Sequence, residues 1–97
     1  MFTVKIESED NSRTSLRTWS SVDVFTRDSE TFDLLINYEK GKAHDFATDE
    51  EEKEYLEGLD SHKAILRTID GQDEYFLCDW EVAFITDQSG KTVHIVR

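Results

Sequence analysis

The sequence predicts a mainly β (α+β) fold: an antiparallel curled sheet or barrel-like sandwich of five to seven strands, with one short acidic helix near residues 49–57. Three observations carry this expectation. Apolar residues recur at every second position in several separate stretches, the period at which side chains of a strand share a face. Clusters of turn formers separate those stretches at short intervals. One segment, opening with Thr48-Asp49-Glu50-Glu51, has the form of a helix cap followed by helix formers.

Phe2, Val4 and Ile6 alternate with Thr3, Lys5 and Glu7, the pattern of a half-buried strand. Ser8-Glu9-Asp10-Asn11-Ser12-Arg13 is polar and reverses the chain into a hairpin. The next segment fits two periods. Leu16, Trp19 and Val22 stand at helical spacing, whereas Val22, Val24 and Thr26 share a strand face, and the abundance of Thr, Ser and Val favours the strand. A turn at Arg27-Asp28-Ser29-Glu30 leads to a second clear strand, in which Phe32, Leu34, Ile36 and Tyr38 alternate with Asp33, Leu35, Asn37 and Glu39. Lys40-Gly41-Lys42 breaks it, and residues 43–47 make a short extended return.

In the capping box the Thr48 hydroxyl accepts from the backbone three residues on, while the Glu51 side chain reaches back. Asp49, Glu50 and Glu51 suit the positive end of the helix dipole. The helix runs to about Glu57, with Gly58 as its stop. A helix this short is marginal alone, so it must lean on the sheet through Tyr55, Leu56 and Leu59.

Residues 64–69 form a third strong strand, and Asp70-Gly71 is a hairpin turn signal. The densest apolar block follows at residues 75–85, where Phe76, Cys78, Trp80, Val82 and Phe84 share one face, with Trp80 at its centre. Asp87-Gln88-Ser89-Gly90 turns that block into the last strand. Residues 63–97 are thus expected to form an antiparallel meander of three strands, or four if the chain bends at Asp79 and Trp80. The expected core is Phe2, Val4, Ile6, Phe32, Leu34, Ile36, Leu66, Phe76, Trp80, Val82, Phe84 and Ile95.

With 97 residues the chain makes a single small domain spanning 1–97. Eleven Lys and Arg stand against 22 Asp and Glu, a formal net charge of −11. Such a surface repels bare nucleic acid and anionic membranes and attracts basic partners. Acidic charge also simply keeps a small protein dispersed, and composition does not choose between the two. The single cysteine, Cys78, excludes an internal disulfide and a cysteine-based zinc site, and its apolar neighbours read it as a small core residue. No stretch approaches membrane-spanning length and no cleavage signal opens the chain, so a cytoplasmic protein is the expectation.

No catalytic constellation stands out. His44 and Asp45 are adjacent, and neighbouring strand residues point to opposite faces. His62 and His94 share no ligand spacing with His44, there is no Gly-x-Ser-x-Gly elbow, and the four glycines stand alone. The expectation is a protein that is not an enzyme and uses no cofactor or metal.

The local anomaly is an acidic run. Asp45, Asp49, Glu50, Glu51, Glu52, Glu54, Glu57 and Asp60 face Lys53 alone, so residues 45–60 carry −7 of the chain's −11. One reading is a solvated helix face. The other is a docking surface for a basic protein, with Asp45, Asp49, Glu50, Glu51, Glu54, Glu57 and Asp60 as the contact residues. A basic surface is often one that binds nucleic acid, and carboxylates can stand where phosphates would lie. The tail Trp80…Asp87-Gln88-Ser89-Gly90…Ile95 slightly resembles the final hairpin of phage uracil-DNA glycosylase inhibitors, which are also small and acidic. The resemblance covers less than a quarter of the chain, and the N-terminal helices of that family have no counterpart, so neither activity nor site residues carry over.

The sequence therefore points to a non-enzymatic acidic binding protein that inhibits or neutralises a basic protein partner, such as a nucleic-acid-binding enzyme. It would be a phage-encoded inhibitor, a nucleic-acid (DNA) mimic or a toxin-immunity protein, acting as a monomer or homodimer. The alternative is a small structural component that assembles into a homo-oligomer through its sheet edges.

Overall fold

The computed structural model describes residues 1–26, 33–36, 48–68 and 71–97, leaving out the side chains of 26, 33–36, 52, 56, 59 and 60. Among the described residues the elements are β1 (Phe2–Ser8), β2 (Thr14–Trp19), β3 (Val22–Thr26), β4 (Asp33–Ile36), α1 (Asp49–Ser61), β5 (Ala64–Arg67), β6 (Glu74–Leu77), β7 (Glu81–Thr86) and β8 (Thr92–Val96). They form two four-stranded sheets, ordered β2-β1-β7-β8 and β4-β3-β5-β6. Every pairing is antiparallel. The mainly β expectation holds, and the form is an open sandwich of two sheets, not a closed barrel.

Each sheet joins one hairpin from the first half of the chain to one from the second. Their inner faces meet in one core. Val4, Ile6, Trp19, Ala83, Ile85 and Val96 come from the first sheet, and Val22, Val24, Ala64, Leu66 and Leu77 from the second. The strand choice for residues 14–26 is thereby decided, because Trp19 and Val22 bracket the corner at which the chain passes from one sheet to the other.

The 75–85 stretch departs from expectation. It is two strands, β6 in the second sheet and β7 in the first, so the meander is broken at a tight crossover through Cys78, Asp79 and Trp80. The Glu81 N–H donates to the Cys78 carbonyl at 3.0 Å to close that turn. The buried face is also the opposite one. Leu77, Ala83 and Ile85 are fully buried, while Trp80 is 62% exposed and Ile95 is 38% exposed. Cys78 and Phe76 are half-buried, as are Val82 and Phe84 on the outer face of the first sheet. A Trp-bearing strand entering the last hairpin is therefore absent, since Trp80 precedes β7. The physical reason is that apolar residues occupy both faces of this stretch. Alternation cannot then select the buried face, and the small Ala83 fits between packed sheets where a Phe would not.

The second sheet is covered on both sides. On its outer face Phe25, Ile65 and the α1 residue Tyr55 form a smaller cluster with Phe76. Tyr55 stacks between Phe25 and Phe76, with ring centroids 6.0 Å apart on each side. Beneath the helix lies Arg67, 3% exposed, beside Asp23, 1% exposed, its partner across the β3–β5 ladder. The Arg67 guanidinium meets Asp23 at 3.8 Å and Glu51 at 3.0 Å, and it lies over the rings of Phe25 and Tyr55. Pairing of this kind is what allows a charge to be buried at all.

Two details of α1 differ from expectation. The Thr48 hydroxyl caps the Glu51 N–H at 3.1 Å, as the box predicts, but the Glu51 carboxylate goes to Arg67 instead. The helix also continues past Gly58 to Ser61, capped by His62. Gly58 lies inside the helix because its missing side chain admits the Phe76 ring.

The expected turn at 27–30, the break at 40–42, the extended return at 43–47, His44, Asp45, Asp70 and the core residue Phe32 lie outside the described residues, as do the side chains of Leu34, Ile36, Leu56 and Leu59.

Candidate functional site

The outer face of α1 presents the acidic residues expected of it. Asp49, Glu50, Lys53, Glu54 and Glu57 are exposed, while Tyr55 turns inward to the sheet. Four of the seven expected contact residues therefore share the solvent side of one helix. Glu51 is half-buried, and its charge is committed to Arg67. Asp60 lies in the last turn with its side chain outside the described residues, as is the whole of Asp45.

The acidic face continues onto the neighbouring sheet edge. A cavity of about 290 Å³ beside the helix is lined by Glu51, Glu54 and Glu74 together with Tyr55, Gly71 and Phe76. The Tyr55 hydroxyl donates to the Glu74 carboxylate. Burial, and then that carboxylate, push the Tyr55 phenol above its ordinary value, so it stays a neutral donor. Glu74 was invisible in the sequence as part of this site, because only the β5–β6 hairpin brings it against the helix.

A second concavity, of about 390 Å³, lies at the other end of β6. The loop between β1 and β2 forms one wall through Asp10, Ser12 and Arg13, and the β6–β7 crossover forms the other through Cys78, Trp80 and Glu81. The Trp80 backbone is pinned, its carbonyl accepting from the Glu9 N–H at 2.7 Å. The Glu81 carboxylate accepts from the Tyr75 hydroxyl at 2.5 Å and the Cys78 N–H at 2.9 Å. Burial alone would raise Glu81, but these hydrogen bonds outweigh it and hold the carboxyl below its ordinary range. Asp10 is held down to about 2 by hydrogen bonds from Ser12 and Ser8. Burial, then the Glu81 carboxylate, push the Tyr75 phenol up to about 12. Burial and Glu81 likewise raise the Cys78 thiol, which stays protonated and weakly nucleophilic at neutral pH.

His62 packs edge-on against Phe76, and His94 pairs across the β7–β8 ladder with Ile85. Among the described residues no group of three or more His, Cys, Asp or Glu is placed to hold a metal ion, and no helix is long and apolar enough to cross a membrane. What both sites offer chemically is carboxylate beside aromatic surface, a setting for cationic groups. Comparison with protein-family models, with curated proteins and with solved structures finds no match to this chain.

Proposed function

We propose that the chain is a non-enzymatic acidic binding protein that docks a basic protein partner on the solvent face of α1, as an inhibitor, nucleic-acid mimic or immunity protein would. One observation carries this reading: Asp49, Glu50, Glu54 and Glu57 are all exposed on a helix whose opposite side is anchored to the sheet, with Lys53 the one cation among them. The carboxylates are thus held on a fixed element and can meet a partner's cations with little reorganisation.

Charge complementarity of this kind acts mainly on the association rate, and salt screens it. Replacing Glu50, Glu54 and Glu57 with Gln keeps helix propensity nearly unchanged. With wild type and the triple variant as parallel baits in host lysate at low salt, a basic protein retained by the first should be lost from the second. Its association rate should fall about tenfold or more and lose much of its salt dependence. Equal retention and an equal salt slope would reduce the acidic run to a solvated face.

A second reading, a small structural component that assembles into a homo-oligomer through its sheet edges, is favoured by the edge strand β8, where Val93 is 40% and Ile95 38% exposed. Sedimentation velocity that returns a monomer at every accessible concentration would remove it.

A further inference from the structure

We infer that the cleft between the β1–β2 loop and the β6–β7 crossover is a receptor for one basic side chain of a partner protein, with the Trp80 indole as its platform and the Asp10 and Glu81 carboxylates as its charge. The fold repeats one pattern. In three places a cation lies over an aromatic ring with a carboxylate beside it. Arg17 sits 5.0 Å from the Tyr75 ring and pairs with Asp73. Arg67 sits 5.1 Å from the Phe25 ring and pairs with Glu51. Lys5 sits 5.6 Å from the Phe84 ring and pairs with Glu7. At Trp80 the ring and the carboxylates are present, and among the described residues no cation lies over the indole.

Indole is the strongest of the aromatic cation acceptors. The backbone that carries it is set by the closed crossover turn and by the Glu9 hydrogen bond, so the ring is presented from a fixed point of the chain. Asp10 and Glu81 stay ionised across the neutral range because their hydrogen bonds come from groups of the cleft wall itself. The chain's net charge of −11 favours a cation at this surface over an anion. Among the described residues Arg13 is the cation on the lining, and it opposes the guest, so its removal should strengthen binding. The cleft uses none of the α1 carboxylates, so this inference stands or falls apart from the helix reading.

The test is NMR of the ¹⁵N-labelled protein, titrated with the tripeptide acetyl-Gly-Arg-Gly-amide and with the same peptide carrying citrulline, which keeps the shape of arginine without its charge. The arginine peptide should shift the Trp80 indole N–H and the Ser12, Cys78 and Glu81 amides. The Trp19 indole, bonded to Asp73, should stay in place. Citrulline should bind about fivefold more weakly or worse. Trp80→Ala should abolish the response, Asp10→Asn should weaken it, Arg13→Gln should strengthen it, and the Glu50, Glu54 and Glu57 triple variant should leave it unchanged. Equal binding of the citrulline peptide, shifts confined to α1, or a stronger response to the corresponding glutamate peptide would each overturn the assignment.

Discussion

The two tryptophans occupy the two corners where the chain changes sheets, and they behave oppositely. Trp19 is 4% exposed, and its indole donates to Asp73 at 2.7 Å, joining the edge strand of one sheet to the start of β6 in the other. Trp80 is 62% exposed. Trp19→Ala should therefore cost about 3–5 kcal/mol, whereas Trp80→Ala should stay within about 0.5 kcal/mol of wild type. Chemical denaturation of the two variants side by side checks the contrast. Glu81 supplies a pH-dependent term. Its carboxyl is depressed in the folded chain, so its stabilising contribution is complete above the ordinary carboxylate value of 4.5 and is lost as pH falls below it. The stability gap between wild type and Glu81→Gln should accordingly be widest near neutrality and shrink below about pH 4, read as Tm against pH. A gap independent of pH would mean that the hydrogen bonds to Glu81 do not depend on its charge.

At the scale of the element, α1 is held to the sheet through Tyr55, the Glu51–Arg67 pair and the close approach of Gly58 to Phe76. Gly58 faces the ring of Phe76, which is itself fixed between Tyr55 and His62. On propensity alone Gly58→Ala would stabilise the helix by about 1 kcal/mol. The added Cβ would instead overlap the ring, so the variant should be destabilised by about 1–3 kcal/mol. A shift in the denaturation midpoint toward higher stability would show that the ring moves aside freely. This glycine also marks a limit of sequence reading. A Gly near the end of a capped, acidic segment is the ordinary signal of a helix stop, and only the position of Phe76 on the sheet turns it into a packing residue. The same limit explains the rest. Where apolar residues kept to one face, as in β1, alternation was sufficient to place the strand and its buried residues Val4 and Ile6. Where both faces were apolar, as in residues 75–85, it pointed to the wrong side. Nothing in the strand pattern singles out Asp23 or Arg67, yet both are buried, paired with each other across the ladder. The acidic face of α1 was legible from composition and the cap. The Trp80 cleft was not, because it depends on two turns about seventy residues apart in sequence meeting at one end of the sandwich.

For the whole molecule the question is which part of its electrostatics dominates. Symmetric use of the chain, with each half giving one hairpin to each sheet, leaves α1 as the single described element laid outside the sandwich, and it bears the densest negative charge. Lys5–Glu7 and Arg17–Asp73 are exposed or half-exposed pairs, each contributing little in water. Arg67 is buried and screened least. What remains for salt to act on is mostly repulsion within a chain of net charge −11. The folded state concentrates that charge, so it gains more from screening than the unfolded chain does. Raising sodium chloride from 20 mM to 0.5 M should therefore raise Tm by roughly 5 °C, the shift that about 1 kcal/mol produces in a domain of this size. The Glu50, Glu54 and Glu57 triple Gln variant should begin higher and rise less, since three of the repelling charges are gone. A wild-type Tm that falls with salt would make attraction in the ion pairs the larger effect, and the gain expected from neutralising α1 would then be lost as well.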